Sequence, residues 1–139
     1  MASDRLWGNR EDKIVILDSS AIMMLFEFSI NFEKEITKLL GFHHIIVPTS
    51  IVKELEFLSK KGNGKKNIKA KASLKLIENF ETIDTINKDG DESIIESAKK
   101  TKGIVFTNDK KLKDRLKKMS IPVIFLRSKK KLVLEKSPF

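Results

Sequence analysis

Gly103-Ile104-Val105-Phe106-Thr107-Asn108-Asp109-Lys110-Lys111-Leu112 joins a short run of β-branched and aromatic residues to three polar ones. Leu112, Leu116 and Met119 then resume the apolar pattern at helical spacing. The stretch predicts a strand, a sharp polar turn and a helix capped by Asn108 or Asp109. In an open α/β sheet, chemistry gathers just beyond the carboxyl ends of the strands. Asp109 stands at such a corner, so the other acids at comparable corners become the residues to find.

The same alternation extends in both directions. Residues 13–17 (Lys-Ile-Val-Ile-Leu) form an apolar strand of the buried, parallel type. It ends in Asp18, and Ser19 and Ser20 lead into a helix through Ala21, Ile22, Leu25 and Phe26. Asn31 is placed to cap a second helix bearing Phe32, Ile36, Leu39 and Leu40 and closed by Gly41. Residues 43–47 predict the next strand, stopped by Pro48, with Thr49 capping a helix that carries Ile51, Val52, Leu55 and Leu58. Residues 60–66 read as an exposed, mobile loop, 67–79 as a helix, 81–85 as a weak strand and 87–90 as a turn. Asp91 opens a helix whose buried side is Ile94, Ile95 and Ala98. Residues 121–126 give a last buried strand, followed by a basic turn over 127–131 and an edge strand at 132–134. Strands alternating with helices predict one domain over residues 1–139, a three-layer α/β/α sandwich about a central parallel sheet. Residues 1–12 are a loose lead-in, and 127–139 hold the basic turn and the edge strand.

Composition narrows the chemistry. The chain has no cysteine, which excludes disulfides, thiolate zinc sites and cysteine nucleophiles. No apolar run approaches the roughly 18 residues of a membrane span, and the polar start is not a secretory signal, so a cytoplasmic location is expected. The formal net charge of +9 suits a polyanionic partner, most commonly nucleic acid.

Against that basic background stand four acids: Asp18, Glu54, Asp91 and Asp109. Each aspartate has a simpler role open to it, that of helix N-cap. Glu54 lies at the edge of the stripe formed by Ile51, Leu55 and Leu58, taking about 100° per residue. A carboxylate half-turned toward a core needs a partner, either a lysine or a metal ion. If the four meet at one sheet edge, their repulsion is relieved by protons or by a cation. Oxygen ligands without histidine or cysteine favour Mg²⁺ or Mn²⁺ over zinc. His43 and His44 fall at a strand start, on the opposite edge, and read as structural. An acidic pit within a basic surface is the arrangement a metal-dependent nuclease needs.

Four segments taken together, Ile14-Val-Ile-Leu-Asp18-Ser-Ser-Ala, Pro48-Thr-Ser-Ile-Val-Lys-Glu54-Leu, Gly90-Asp91-Glu-Ser-Ile and Thr107-Asn-Asp109-Lys-Lys-Leu, resemble the PIN-domain family in order and spacing across residues 13–126. The resemblance implies a Rossmann-like sandwich and a Mg²⁺- or Mn²⁺-dependent endoribonuclease. It makes Asp18, Glu54, Asp91 and Asp109 the catalytic and metal-binding quartet. Ser19, Glu92, Thr107 and Asn108 would support them, Glu92 falling where many members carry a second aspartate. The ending from Ile121 through Glu135 resembles the archaeal branch related to the nucleases of small-subunit ribosomal RNA maturation. The toxin branch, VapC, shares the quartet and is the second reading, with an antitoxin as partner; either branch is compatible with a homodimer.

Readings from other classes are a non-catalytic RNA-binding PIN domain, against which the intact quartet argues, and a phospho-acceptor receiver. A receiver carries paired acids near its first strand, whereas Asp18 has no acidic neighbour. Lys60, Lys61, Lys65, Lys66, Lys69, Lys71 and Lys129 to Lys131 form two basic clusters. They are candidates for holding an RNA backbone, although lysine runs are usually only solvated surface.

Overall fold

A computed structural model describes residues 13–61 and 64–136. The expected lead-in at 1–12, positions 62–63 of the expected loop and the last three residues lie outside the described residues. In chain order the elements are β1 (Lys13–Leu17), α1 (Ser19–Glu27), α2 (Phe32–Leu40), β2 (His43–Pro48), α3 (Thr49–Lys60) and α4 (Lys65–Ile77). There follow β3 (Glu81–Ile83), α5 (Gly90–Thr101), β4 (Ile104–Phe106), α6 (Lys110–Lys118), β5 (Val123–Arg127) and β6 (Lys131–Glu135).

The six strands form one sheet in the order β3-β2-β1-β4-β5-β6. β1 to β5 are parallel, and β6 returns antiparallel along β5 with Leu126 opposite Leu132. Successive strand residues point to opposite faces. Ile14, Val15, Ile16 and Leu17 are nonetheless all buried, so helices must cover both faces of the sheet at β1. Each such side chain contributes about 1.5–3 kcal/mol on burial, which fixes β1 as the central strand.

The chain builds leftward from β1 through β2 to β3, then crosses back to lay β4 on the other side of β1. The direction of winding therefore reverses between β1 and β4. At such a reversal the flanking connections diverge and leave a crevice beyond the strand ends. Asp18 follows β1 and Thr107-Asn108-Asp109 follows β4, so both line this crevice.

Several boundaries differ from expectation for local reasons. Pro48 does not stop β2 but is its last residue, opposite Ile83, and Thr49 is the first residue of α3 rather than its cap. α4 starts at Lys65, not at 67, because Gly64 takes φ 131°, a backbone setting that side chains disfavour, and turns the chain directly into the helix. The loop between α3 and α4 thus shrinks to residues 61–64, and Lys65 and Lys66 are helical. β3 is shorter than expected, ending at Ile83, and the Thr85 hydroxyl then donates to the Asn87 carbonyl at 2.6 Å. Asn31 and Gly41 do bound α2, Asn31 accepting from the Lys34 N–H at 3.3 Å. No helix among the described residues is long and apolar enough to cross a membrane.

Candidate active site

The site begins in the β1–β4 ladder. The Asp18 N–H donates to the Phe106 carbonyl at 3.1 Å, one step beyond the end of β1. Asp18 and Thr107 therefore leave the sheet side by side. Asp18 occupies the cap position of α1, yet its carboxylate accepts no helix N–H. Its Oδ2 accepts instead from Thr107 Oγ1 and from Ser20 Oγ, each at 2.7 Å. With Asp18 only 7% exposed and Thr107 fully buried, two charge-assisted bonds hold the carboxylate at the crevice floor.

Glu54 reaches the same place from α3. Its Oε2 accepts from Ser19 Oγ at 2.7 Å, and its Oε1 lies 3.5 Å from where a Cβ on Gly90 would stand. The expectation of a half-buried Glu54 is corrected: the residue is exposed. Helical angle gives the direction of a side chain but not where the layer beneath it ends, and here Glu54 overhangs the sheet edge. Its partner is a serine, not a lysine.

Asp91 is the second residue of α5, and Asp89 holds the cap position. Its surface is exposed, yet partial desolvation raises its carboxyl above the ordinary value of 3.8; the negative charges of Asp109 and Asp18 add to this, and Arg115 opposes it. Asp91 thus feels both strand-end acids across the crevice. Asp109 is the cap of α6, its Oδ1 accepting from the Leu112 N–H at 3.0 Å, so for this residue the capping role is real.

All four acids therefore border one crevice at the carboxyl edge of the sheet. Among the described residues, no three acids or histidines stand close enough to hold one ion directly. Hard oxygens around like charge nonetheless fit Mg²⁺ or Mn²⁺. Mg²⁺ in particular usually keeps several waters and takes only one or two carboxylates directly. The raised Asp91 carboxyl marks where added positive charge would be most stabilising.

The supporting residues divide. Ser19 and Thr107 orient Glu54 and Asp18 as described. Thr107 Oγ1 also accepts from the Asp109 N–H at 3.1 Å, tying the two strand-end acids to one hydroxyl. Asn108 turns away to β5, where its amide accepts from the Leu126 N–H at 2.7 Å and donates to the Leu126 carbonyl at 3.3 Å. Glu92 is engaged by the Arg115 guanidinium at 2.6 Å. Arg115 and Ser20 were not singled out from sequence. Ser20 could have been found in the Asp-Ser-Ser run; Arg115 meets Glu92 only through tertiary packing, 23 positions apart.

The lysines do not form one patch. Lys60 and Lys61 end α3, with Lys61 standing 5.3 Å from the Phe57 ring centre. Lys65, Lys66, Lys69 and Lys71 lie on α4, and Lys69 reaches Glu27 of α1 at 3.6 Å. Lys129, Lys130 and Lys131 are exposed at the β5–β6 turn, Lys129 standing 5.7 Å from the Phe28 ring centre.

Known proteins carry the same pattern. Ribonuclease VapC9 of Archaeoglobus fulgidus is 33% identical over 135 residues, spanning 97% of this chain and 98% of that protein. Ribonuclease VapC4 of Methanocaldococcus jannaschii is 34% identical over 120 residues, spanning 84% and 92%. Among solved structures, the PIN domain endonuclease Utp24 superposes with a TM-score of 0.73 at 24% identity, over 88% of this chain and 91% of that one. At that identity the likeness speaks to the fold. A family profile described as a PIN like domain matches residues 15–129, and this chain belongs to the PIN-domain family.

Proposed function

We propose that this protein is a divalent-metal-dependent endoribonuclease acting in the cytoplasm, with Asp18, Glu54, Asp91 and Asp109 as its catalytic and metal-binding acids. The observation that carries this reading is the buried Asp18 carboxylate, held by Thr107 and Ser20 instead of capping its helix. A buried acid whose side chain is taken out of its simplest structural role, beside three others, is a costly arrangement unless it binds something. Two relatives bearing the name ribonuclease over nearly their whole length support RNA as the substrate.

In this mechanism the chain's residues act by position and charge. Asp18 and Glu54, oriented by Thr107, Ser20 and Ser19, would hold Mg²⁺ or Mn²⁺ with Asp91 and Asp109 on the facing rim. When bound, such an ion lowers the pKa of a water and offsets charge developing on the phosphate. Asp91, with its carboxyl raised above the usual range, is the acid best placed to accept a proton from an attacking water. Arg115, bound to Glu92 beside it, supplies a fixed positive charge at the rim.

The biological setting follows from which relatives carry the likeness. The C-terminal resemblance suggests ribosomal RNA maturation. The 33% and 34% identical relatives named VapC favour a toxin ribonuclease partnered by an antitoxin. The experiment is cleavage of single-stranded RNA with Mn²⁺ or Mg²⁺, with and without excess chelator, by the parent and by Asp18→Asn. The variant should lose several orders of magnitude in rate, since asparagine keeps the shape and removes the charge. Undiminished cleavage in chelator or by the variant refutes the reading. Growth arrest on expression, relieved by Asp18→Asn, would select the toxin setting.

A further inference from the structure

A groove of about 410 Å³ opens between α1 and the start of α4, lined by Ser20, Met23, Met24 and Glu27 on one side and by Lys65, Lys66 and Lys69 on the other. It is continuous with the acidic crevice, because Ser20 is also the residue whose hydroxyl donates to Asp18. The geometry points to this groove as the channel through which a single strand of RNA runs to or from the cleavage site. The inference rests on the ribonuclease reading and adds the path of the substrate.

The lysines are placed against local stability. Lys65 and Lys66 occupy the first turn of α4, where the helix dipole repels cations, and that turn has neither an acid nor a capping side chain. Neither makes an ion pair among the described residues. A local rule broken in this way is expected where function needs the charge. Lys69 is drawn to Glu27 at 3.6 Å, which leaves the groove a net positive charge from the other two. Met23 and Met24 add adaptable thioether surface of the kind that accepts flat, variable groups such as bases. Lysines for phosphates beside apolar surface for bases form the combination that binds single strands without reading sequence. Lys60, Lys61 and Lys71 do not line the groove, so the basic cluster of the sequence separates into channel and surface.

The test compares two triple variants of equal charge, Lys65→Ala/Lys66→Ala/Lys69→Ala and Lys129→Ala/Lys130→Ala/Lys131→Ala, with thermal melts confirming that both fold. Binding of a fluorescent single-stranded RNA is titrated against salt, with Ca²⁺ as the metal. The groove triple should flatten the slope of log affinity against log salt by about 2, at roughly 0.7 per lost phosphate contact, and the turn triple should not. Cleavage of a trinucleotide, too short to fill the groove, should proceed alike in both triples, whereas cleavage of a longer strand should slow in the groove triple alone. Equal slopes in the two triples would reduce the effect to net charge and overturn the channel. So would a groove triple that binds RNA like the parent, including one that has instead lost a protein partner. If the parent binds RNA through the groove but cleaves nothing with Mn²⁺, the ribonuclease reading fails and the binding surface stands.

Discussion

Replacing Thr107 by valine isolates one hydroxyl at the centre of the site. The two side chains have nearly the same shape, and Thr107 is fully buried, so volume hardly changes. The lost group donates to Asp18 Oδ2 at 2.7 Å and accepts from the Asp109 N–H at 3.1 Å. A hydrogen bond to a carboxylate is worth about 1.5–3 kcal/mol, and a stranded N–H costs about 1 kcal/mol more. The added methyl returns about 0.8 kcal/mol. The net loss is about 2–3 kcal/mol, or roughly 6–12 °C in melting midpoint for a chain of this length. Asp18 would then be held by Ser20 alone. Loss of a residue that orients a ligand typically lowers metal affinity or activity by about 10–100-fold. Urea denaturation and cleavage rate across a Mn²⁺ titration read the two effects, with Thr107→Ser as the control that keeps the hydroxyl. A valine variant within about 0.5 kcal/mol of the parent and equally active would refute the argument that this hydroxyl organises the acids.

Two further outcomes follow from the same geometry. Partial burial and the charges of Asp109 and Asp18 raise the Asp91 carboxyl above 3.8, so the ionised form opposes folding and the protonated form does not. Asp91→Asn should therefore stabilise the metal-free protein near neutral pH, the gain shrinking as pH falls through the folded value and vanishing below 3.8; melts of chelated protein that show no gain at any pH would mean the acids do not crowd. Gly103→Ala would put a Cβ 2.8 Å from Thr101 Oγ1 and 3.0 Å from the Ile14 carbonyl oxygen. Since the latter is backbone of the central strand, stability should fall by about 1–3 kcal/mol, and a melt unchanged from the parent would show that β1 can shift.

The parts of the fold that sequence disclosed are those where local pattern and tertiary need agree. Ile14 to Leu17 could be nothing but a strand covered on both faces, and Thr107-Asn108-Asp109 carries turn and cap chemistry within three residues. The start of α4 was hidden because its buried positions are Ala70, Ser73 and Ile77, a face too small and mixed to mark a helical period among lysines. At the site, the placement of Asp18 and Asp109 follows from being the residues after β1 and β4. What their side chains do does not: Asp109 caps and Asp18 does not, a difference made by Thr107 and Ser20. The exposure of Glu54 and the pairing of Glu92 with Arg115 depend on where layers end and helices cross, which no spacing along the chain encodes.

The central position of β1 also sets an order in time. β1 is made first, but its neighbour β4 and the Thr107 hydroxyl that holds Asp18 come 89 residues later. At ordinary rates of synthesis that gap lasts about 5–20 s. Throughout it one edge of the central strand waits unpaired and Asp18 lacks its partner, while the α3–α4 hairpin carrying Glu54 and the basic groove is already made. An unfinished chain on the ribosome, next to abundant RNA, can therefore present the lysines before it can assemble the acids. Such a chain would hold RNA before it could cut it.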